Sequence, residues 1–297
     1  MSQAPTGVPR ETFDRARDFV YSHARLLERQ LFRYRYEDGP EALVLSALAA
    51  YQNADGGFGN ALEPDKRTPY SQPIDVETAF EVLDELDAMD SPMVQRACSF
   101  LGSITTPEGG VPFSLPSVNA FAHAPWWGAD EEPPAAINPT AGIAAILLRH
   151  GVRHPWLERA LAFCRAAIER SESTQFHDLR EAIHLLEALT TGPEAGWAQR
   201  QLDRLAERIT AGGLIETDPG AQGYVMKPLD WAPTPRSFAR KLVADDVVER
   251  HLEALVAEQQ PDGGWPISWP TVSPAVELEW RGIVTLRALR TLEAYAG

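Results

Sequence analysis

From Arg10 to Tyr295 the chain is a succession of period-3.6 apolar patterns, joined by connections that alternate between short and long. The periodicity predicts helices over 10–33, 40–52, 73–90, 92–104, 138–150, 154–170, 175–190, 193–210, 236–243, 244–260 and 276–295, with few segments that alternate as strands do. Ser91-Pro92, Asn138-Pro139 and Ser273-Pro274 supply a capping side chain followed by proline at the first helical position. Connections after 33, 90, 150 and 190 are short; those after 52, 104, 210 and 260 are long and rich in Gly, Pro and Trp. The stretch 171–174 is the one short member of the second set. Such alternation is expected of antiparallel helical hairpins whose long loops all emerge at one end. The pattern implies an all-α chain, and long loops in a compact all-α chain are usually functional.

Two of those loops share one grammar. Tyr51–Asn60 reads YQNADGGFGN and Glu258–Ile267 reads EQQPDGGWPI, so Gln52 and Gln259 each stand three residues before Asp-Gly-Gly and an aromatic. Glycine there permits positive φ and ends a helix, while the aromatic packs between neighbouring helices. TTPEGGVPF (105–113) and ITAGGLIET (209–217) read as weaker copies. A repeat of about 40–60 residues marks a stacked or ring-closed array.

Gln-x-x-Asp-Gly-Gly-Phe/Trp after an apolar helix resembles the repeat of the prenyltransferase and squalene-cyclase superfamily. The resemblance implies an α/α toroid over 10–297 as a single domain, with 1–9 a flexible N-terminus. About six inner helices (10–33, 73–90, 138–150, 175–190, 236–243 and 276–295) and five outer ones (40–52, 92–104, 154–170, 193–210 and 244–260) would surround a central cavity. It also implies a terpene cyclase-like or prenyltransferase-like enzyme acting by metal-independent acid/base chemistry on a hydrophobic isoprenoid-like substrate. The family's known apparatus is missing, however. The sequence VADD at Val243–Asp246 lacks the leading Asp of the cyclase acid motif, and Asp-Asp-x-x-Asp is absent. The only cysteines, Cys98 and Cys164, lie in apolar helical patterns without zinc-ligand spacing and read as buried structural thiols.

Composition excludes other classes. Asp plus Glu outnumber Lys plus Arg by 42 to 27, a net charge of −15, which suits no phosphate backbone. The start MSQAPTGVPRETF lacks the apolar core of a signal peptide, and no apolar run spans a bilayer. The expectation is a cytoplasmic protein without metal or cofactor, its partner a small-molecule substrate and not nucleic acid or an integral membrane.

If inner helices are parallel, their N-termini converge at a mouth that favours carboxylates or an anionic substrate group. The longest polar cluster places Glu63, Asp65, Lys66 and Arg67 in a loop, then Asp75 and Glu77 on the first turn of the next helix. PAVELEWRG opens the last helix with Glu277, Glu279, Trp280 and Arg281. Glu63, Asp65, Asp75, Glu77, Glu277 and Glu279 are the candidate acids; a proton donor among them must be desolvated. Asp75 and Glu77 also suit a helix start by the dipole alone. Trp126, Trp127, Trp231, Trp265 and Trp269 form a tryptophan-rich set from three loops, either covering the core or lining a cavity that stabilises cations. His123 and His177 are candidate acid/base groups, whereas His23, His150, His154, His184 and His251 have no special company; Lys227, Arg236 and Arg67 would receive an anion. Paired carboxylates with tryptophans equally suit a carbohydrate-active α/α barrel such as a lyase, epimerase or hydrolase, and a non-catalytic binding toroid is the third reading.

Overall fold

The computed structural model describes residues 4–297 and is all-α. Its twelve helices among the described residues are α1 (Arg10–His23), α2 (Leu26–Tyr36), α3 (Glu41–Ala49), α4 (Pro73–Glu85), α5 (Pro92–Ser103), α6 (Ile137–Arg149), α7 (Pro155–Arg170), α8 (Phe176–Leu189), α9 (Ala195–Ala211), α10 (Pro228–Trp231), α11 (Asp245–Ala257) and α12 (Pro274–Ala296). Short 3₁₀ turns occupy Pro116–Ala120, Pro125–Trp127 and Phe238–Leu242. The last replaces the α-helix expected over 236–243. None of these helices is long and apolar enough to cross a membrane.

Two compact units carry these elements. One comprises the segment through Leu48 with Gly213–Gly297, the other Ala49–Gly212. In the second unit α6 is the core helix. Its sequence INPTAGIAAILLR is buried all round from Asn138 to Leu147, as expected of a helix without a polar face. Cys98 and Cys164 are free and fully buried, and burial pushes the Cys98 thiol up to about 12. In the first unit, Gly282 of α12 lets Ala24 approach so closely that a Cβ would sit 2.8 Å from the Ala24 methyl. Residues before α1, expected to be flexible, include a buried Val8 and a Gly7 packed on Ala296.

The segment 10–33 is two helices. Ala24 and Arg25 are extended (ψ 159° and 165°), and the Arg25 guanidinium grips the buried Glu28 carboxylate through two hydrogen bonds of 2.9 and 2.6 Å. Both halves bury an apolar face, so the period continues across a break that no Gly or Pro announces.

That division explains the repeated loops. In the second unit Gln52 Nε2 donates to Gly56 O and to Met93 O on α5, both at 2.9 Å, and Arg96 donates to Gln52 Oε1. Gly56 has φ 89° and lies against the Arg96 carbonyl; Gly57 lies against the Phe100 ring. In the first unit Gln259 Nε2 donates to Gly263 O (2.9 Å) and to Thr12 O on α1 (2.8 Å). There Gly263 (φ 95°) meets the Arg15 carbonyl and Gly264 the Phe19 ring. Phe58 and Trp265 are buried. So α1 serves the Gln259 corner as α5, expected to be outer, serves the Gln52 corner. The stretch 105–113 repeats the backbone geometry of the corner, though Thr105, Glu108 and Val111 stand in place of its glutamine, aspartate and aromatic: Gly109 (φ 102°) meets Arg159 O and Gly110 the Phe163 ring on α7. The stretch 209–217 is not a copy. There the positive φ (56°) falls on the second glycine, Gly213, beside open space, and the pair merely ends α9.

Candidate active site

The loop that leaves the Gln52 corner begins with Asn60 and Ala61 both at positive φ (57° and 59°), which turns the chain inward. Residues 65–67 then pair with 122–124, through Ala124 N–H to Asp65 O and Arg67 N–H to Ala122 O, both 2.8 Å. This pairing carries Glu63, Asp65 and Lys66 into the interior of the second unit, where none exceeds 6% exposure. Lys66 Nζ lies 3.0 Å from Asp75 Oδ1 and 3.3 Å from Glu63 Oε2, and Asp75 Oδ1 also accepts the Glu63 N–H at 2.7 Å. Asp75 reaches the loop because it stands on the first turn of α4. Above the ammonium lies the Trp127 ring, its centroid 4.7 Å from Nζ, stacked in turn on Phe113 at 4.6 Å. Val118 and Ala124 pack with this pair into a small apolar floor.

Two carboxyl groups, those of Glu63 and Asp75, thus share one ammonium out of water, and the Asp65 side chain is buried in the same loop. Burial is the main influence on Glu63 and pushes its carboxyl up to about 7; Asp75 and Asp65 add to the rise and Lys66 opposes it. Near neutrality Glu63 is therefore divided between acid and carboxylate. Sequence reasoning found the carboxylates but passed over Lys66, whose signal was its position three residues after Glu63 in a loop already suspected.

Glu77 does not join this group. Two residues from Asp75 on a helix is more than half a turn, so Glu77 faces α6 and α8 instead. Glu277 is exposed and Glu279 half-buried. Arg281 is committed elsewhere: its guanidinium holds Asp262 at 2.8 and 2.6 Å, donates to Trp265 O and lies 4.6 Å from the Phe19 ring centroid. Lys227 Nζ donates to Pro219 O and meets Glu258 at 3.2 Å. Arg67 is half-buried beside Pro64 O, and Arg236 is exposed.

The tryptophans divide. Trp127, Trp231 and Trp265 are buried, and Trp265 Nε1 donates to Leu255 O at 2.7 Å, so these rings pack inside their units. Trp126 is 44% exposed. Trp269 is half-buried and meets Trp280 and Tyr224 edge-on at 5.1 and 5.9 Å. His123 Nδ1 donates to Phe121 O (2.7 Å) beside Lys66, whereas His177 is exposed against Phe176. The five histidines without special company in sequence all have it in the fold: His23 lies on the Phe19 ring, His154 Nδ1 accepts the Trp156 N–H, His251 Nε2 meets Thr217 O, and two lie beside carboxylates. His150 Nε2 lies 2.6 Å from Asp84, and His184 Nδ1 lies 3.5 Å from Glu181. Two hollows of the second unit, one of about 390 Å³ lined by Asp87, Asp90, Gln95 and His150 among others, the other by Ala206, Glu207, Thr210 and Ala211, are lined by none of the candidate acids.

No family model matches the chain, and no curated protein does. Solved structures do. A protein from Actinoplanes is 16% identical, covering 95% of this chain and 98% of its own, with a TM-score of 0.57. A variant of the type II terpene cyclase MstE from Scytonema, in complex with its substrate geranylgeranyl dihydroxybenzoate, is 14% identical over 95% of this chain and 97% of its own, with a TM-score of 0.56. A second MstE variant with the same substrate covers 99% of this chain and 91% of its own, at 14% identity and a TM-score of 0.51. At such identities the likeness is one of fold: the chain has the α/α-type all-helical fold of these terpene cyclases along nearly its whole length.

Proposed function

We propose that the chain is a terpene cyclase-like enzyme that starts its reaction by protonating an alkene of an isoprenoid substrate, with Glu63 as the acid. One observation carries this reading. Glu63 is a buried carboxyl pushed up to about 7, with a buried ammonium 3.3 Å away to receive the charge it leaves behind. The proton of Glu63 passes to one alkene carbon, a carbocation forms at the other, and ring closure ends with loss of a proton from the cyclised cation. Lys66 neutralises the Glu63 carboxylate until it is reprotonated, and Asp75 holds Lys66 in place. The fold shared with MstE supports the substrate class. A prenylated aromatic acid like that of MstE is accordingly the first substrate to try.

The test is incubation of the purified protein with geranylgeranyl dihydroxybenzoate, read by mass spectrometry for an isomeric, more compact product. Glu63→Gln removes the proton while keeping the shape and should abolish turnover. Asp65→Asn should only lower it. Unchanged conversion by Glu63→Gln would remove Glu63 as the acid. Native mass spectrometry of the protein as purified would reveal an isoprenoid already bound.

A further inference from the structure

Glu77 and Glu181 approach one another from α4 and α8 across the face of α6. They are 5% and 2% exposed. Gly142 makes the meeting possible: a Cβ at that position would overlap both Glu77 Oε1 and Glu181 Oε2. The two carboxyls are not equivalent. Arg180 Nε donates to Glu181 Oε1 at 2.7 Å, and His184 Nδ1 lies 3.5 Å from Glu181 Oε2. Arg180 also reaches Glu81 on α4 at 3.6 Å. Among the described residues Glu77 contacts Glu181 and no cation directly, and its Oε1 is buried without a hydrogen-bond partner.

Two carboxyls so close and so dry cannot both be ionised. The group beside Arg180 keeps the charge and the other keeps the proton. In accord with this, burial first and the Glu181 and Glu81 charges next hold the Glu77 carboxyl well above the usual range. Although burial opposes it, Glu181 is held well below that range by Arg180 and His184. Solvent access is graded in the same order. The His184 side chain is 40% exposed, whereas Glu181 and Glu77 are shut away.

We propose that His184, Glu181 and Glu77 form a proton relay, carrying protons from solvent to a buried carboxylic acid at Glu77, and that this is a second proton-exchange site distinct from the Glu63–Lys66 cluster. In the inward step, which starts from ionised Glu77, a protonated His184 gives its Nδ1 proton to the Glu181 carboxylate at Oε2 and Glu181 passes a proton on to Glu77, which leaves His184 neutral, Glu181 charged and Glu77 protonated. Only N–H and O–H bonds form and break, and the outward step reverses them. None of this requires the cyclase reading.

Infrared spectroscopy of protein carrying carbon-13 glutamate tests the relay without substrate. A protonated glutamic acid band should persist on the alkaline side of neutrality, where Glu63 has ionised. It should vanish in Glu77→Gln and remain in Glu63→Gln. In Glu181→Gln the band should titrate away at lower pH than in the parent, because the repulsion of the Glu181 charge is gone while burial remains. On transfer to heavy water, His184→Phe should slow deuteration of the band by at least roughly tenfold. That variant alters a partly exposed ring, so the kinetic arm survives even if Glu77→Gln fails to fold. A band unaffected by Glu77→Gln, or deuterated as fast in His184→Phe as in the parent, overturns the proposal. A cyclase assay that fails leaves both readouts intact.

Discussion

The Gln52 and Gln259 corners have the same geometry and lead to opposite uses of charge. In each, a glutamine amide binds the carbonyl of the first glycine and the first turn of another helix, and an aromatic is buried. Beyond the first corner the chain buries an ammonium between two carboxyls. Beyond the second it brings Arg281 of α12 back onto the corner's own Asp262, whose side chain remains 42% exposed. The corner is therefore scaffold, and chemistry resides in the segment beyond it. Lysine and arginine substitutions separate the two cases most widely. Lys66→Met strands buried carboxylates and should cost about 3–5 kcal/mol in denaturant unfolding. Arg281→Met leaves a carboxylate that water can solvate and should cost about 1–2 kcal/mol. Equal losses would mean that both corners merely hold the fold.

The scaffold half of the comparison predicts equality instead. Gly56→Ala and Gly263→Ala each place a Cβ at positive φ against a carbonyl, of Arg96 and of Arg15, at 2.5 and 2.2 Å. Each should lose about 3 kcal/mol or more, whichever unit it occupies. Gly213→Ala has positive φ but open space and should lose only about 1 kcal/mol. Thermal unfolding of the three variants side by side decides whether the corners are interchangeable.

Much of this scaffold was legible from the residues, and some of it was written twice without being read. The partner helices carry their own repeat: Arg15-Ala16-x-x-Phe19, Arg96-Ala97-x-x-Phe100 and Arg159-Ala160-x-x-Phe163. Each arginine offers its carbonyl to the first glycine, each phenylalanine its ring to the second, and each alanine is fully buried. Aligning those stretches would have shown that α1 belongs with α5 and α7, and that 10–33 divides. The loop cluster was partly legible, because Glu63 and Asp65 stand where propensity asks for nothing charged. Glu181 was not. It sits in an ordinary amphipathic helix, and only its approach to Glu77 over Gly142 gives it meaning, a relation fixed by packing between helices far apart in the chain. The tryptophans were left open for the opposite reason: a ring in or beside a long loop can turn inward, as Trp265 and Trp231 do, or stay exposed, as Trp126 does.

Acidity sharpens the contrast further. Glu63 has its folded value raised from 4.5 to about 7, so the folded protein binds more protons than the unfolded chain between those limits. Its contribution to stability is fully present below pH 4.5, falls as pH rises through that window by about 3 kcal/mol at most, and is constant above it. Glu63→Gln should flatten that decline by up to about 2–3 kcal/mol. Asp262 has the reverse sign: Arg281 holds it below 3.8, so its contribution is present above 3.8 and is lost as pH falls. Asp262→Asn should therefore weaken the protein at neutral pH by about 1 kcal/mol or less, with the deficit closing in acid. Urea titrations across roughly pH 3–8 give both slopes, and slopes of the same sign would dissolve the distinction between a buried acid and a surface pair.

The smallest effects ask whether the glutamine is needed at all, because the third corner lacks it. Thr105 stands where Gln52 and Gln259 stand, yet Gly109, Gly110, Arg159 and Phe163 keep the geometry, and Thr106 N–H still reaches Gly110 O at 2.9 Å. The amide must then be adhesive, tying two backbone carbonyls, and not architectural. Gln52→Ala and Gln259→Ala should each cost about 1–2 kcal/mol, the value of two hydrogen bonds partly open to water. Thr105→Gln should bring about 0.5–1 kcal/mol of added stability by reaching Gly109 O and the first turn of α7. A collapse of either corner on losing its glutamine, or no gain at 105, would show that the amide shapes the turn and that the three corners are held in different ways.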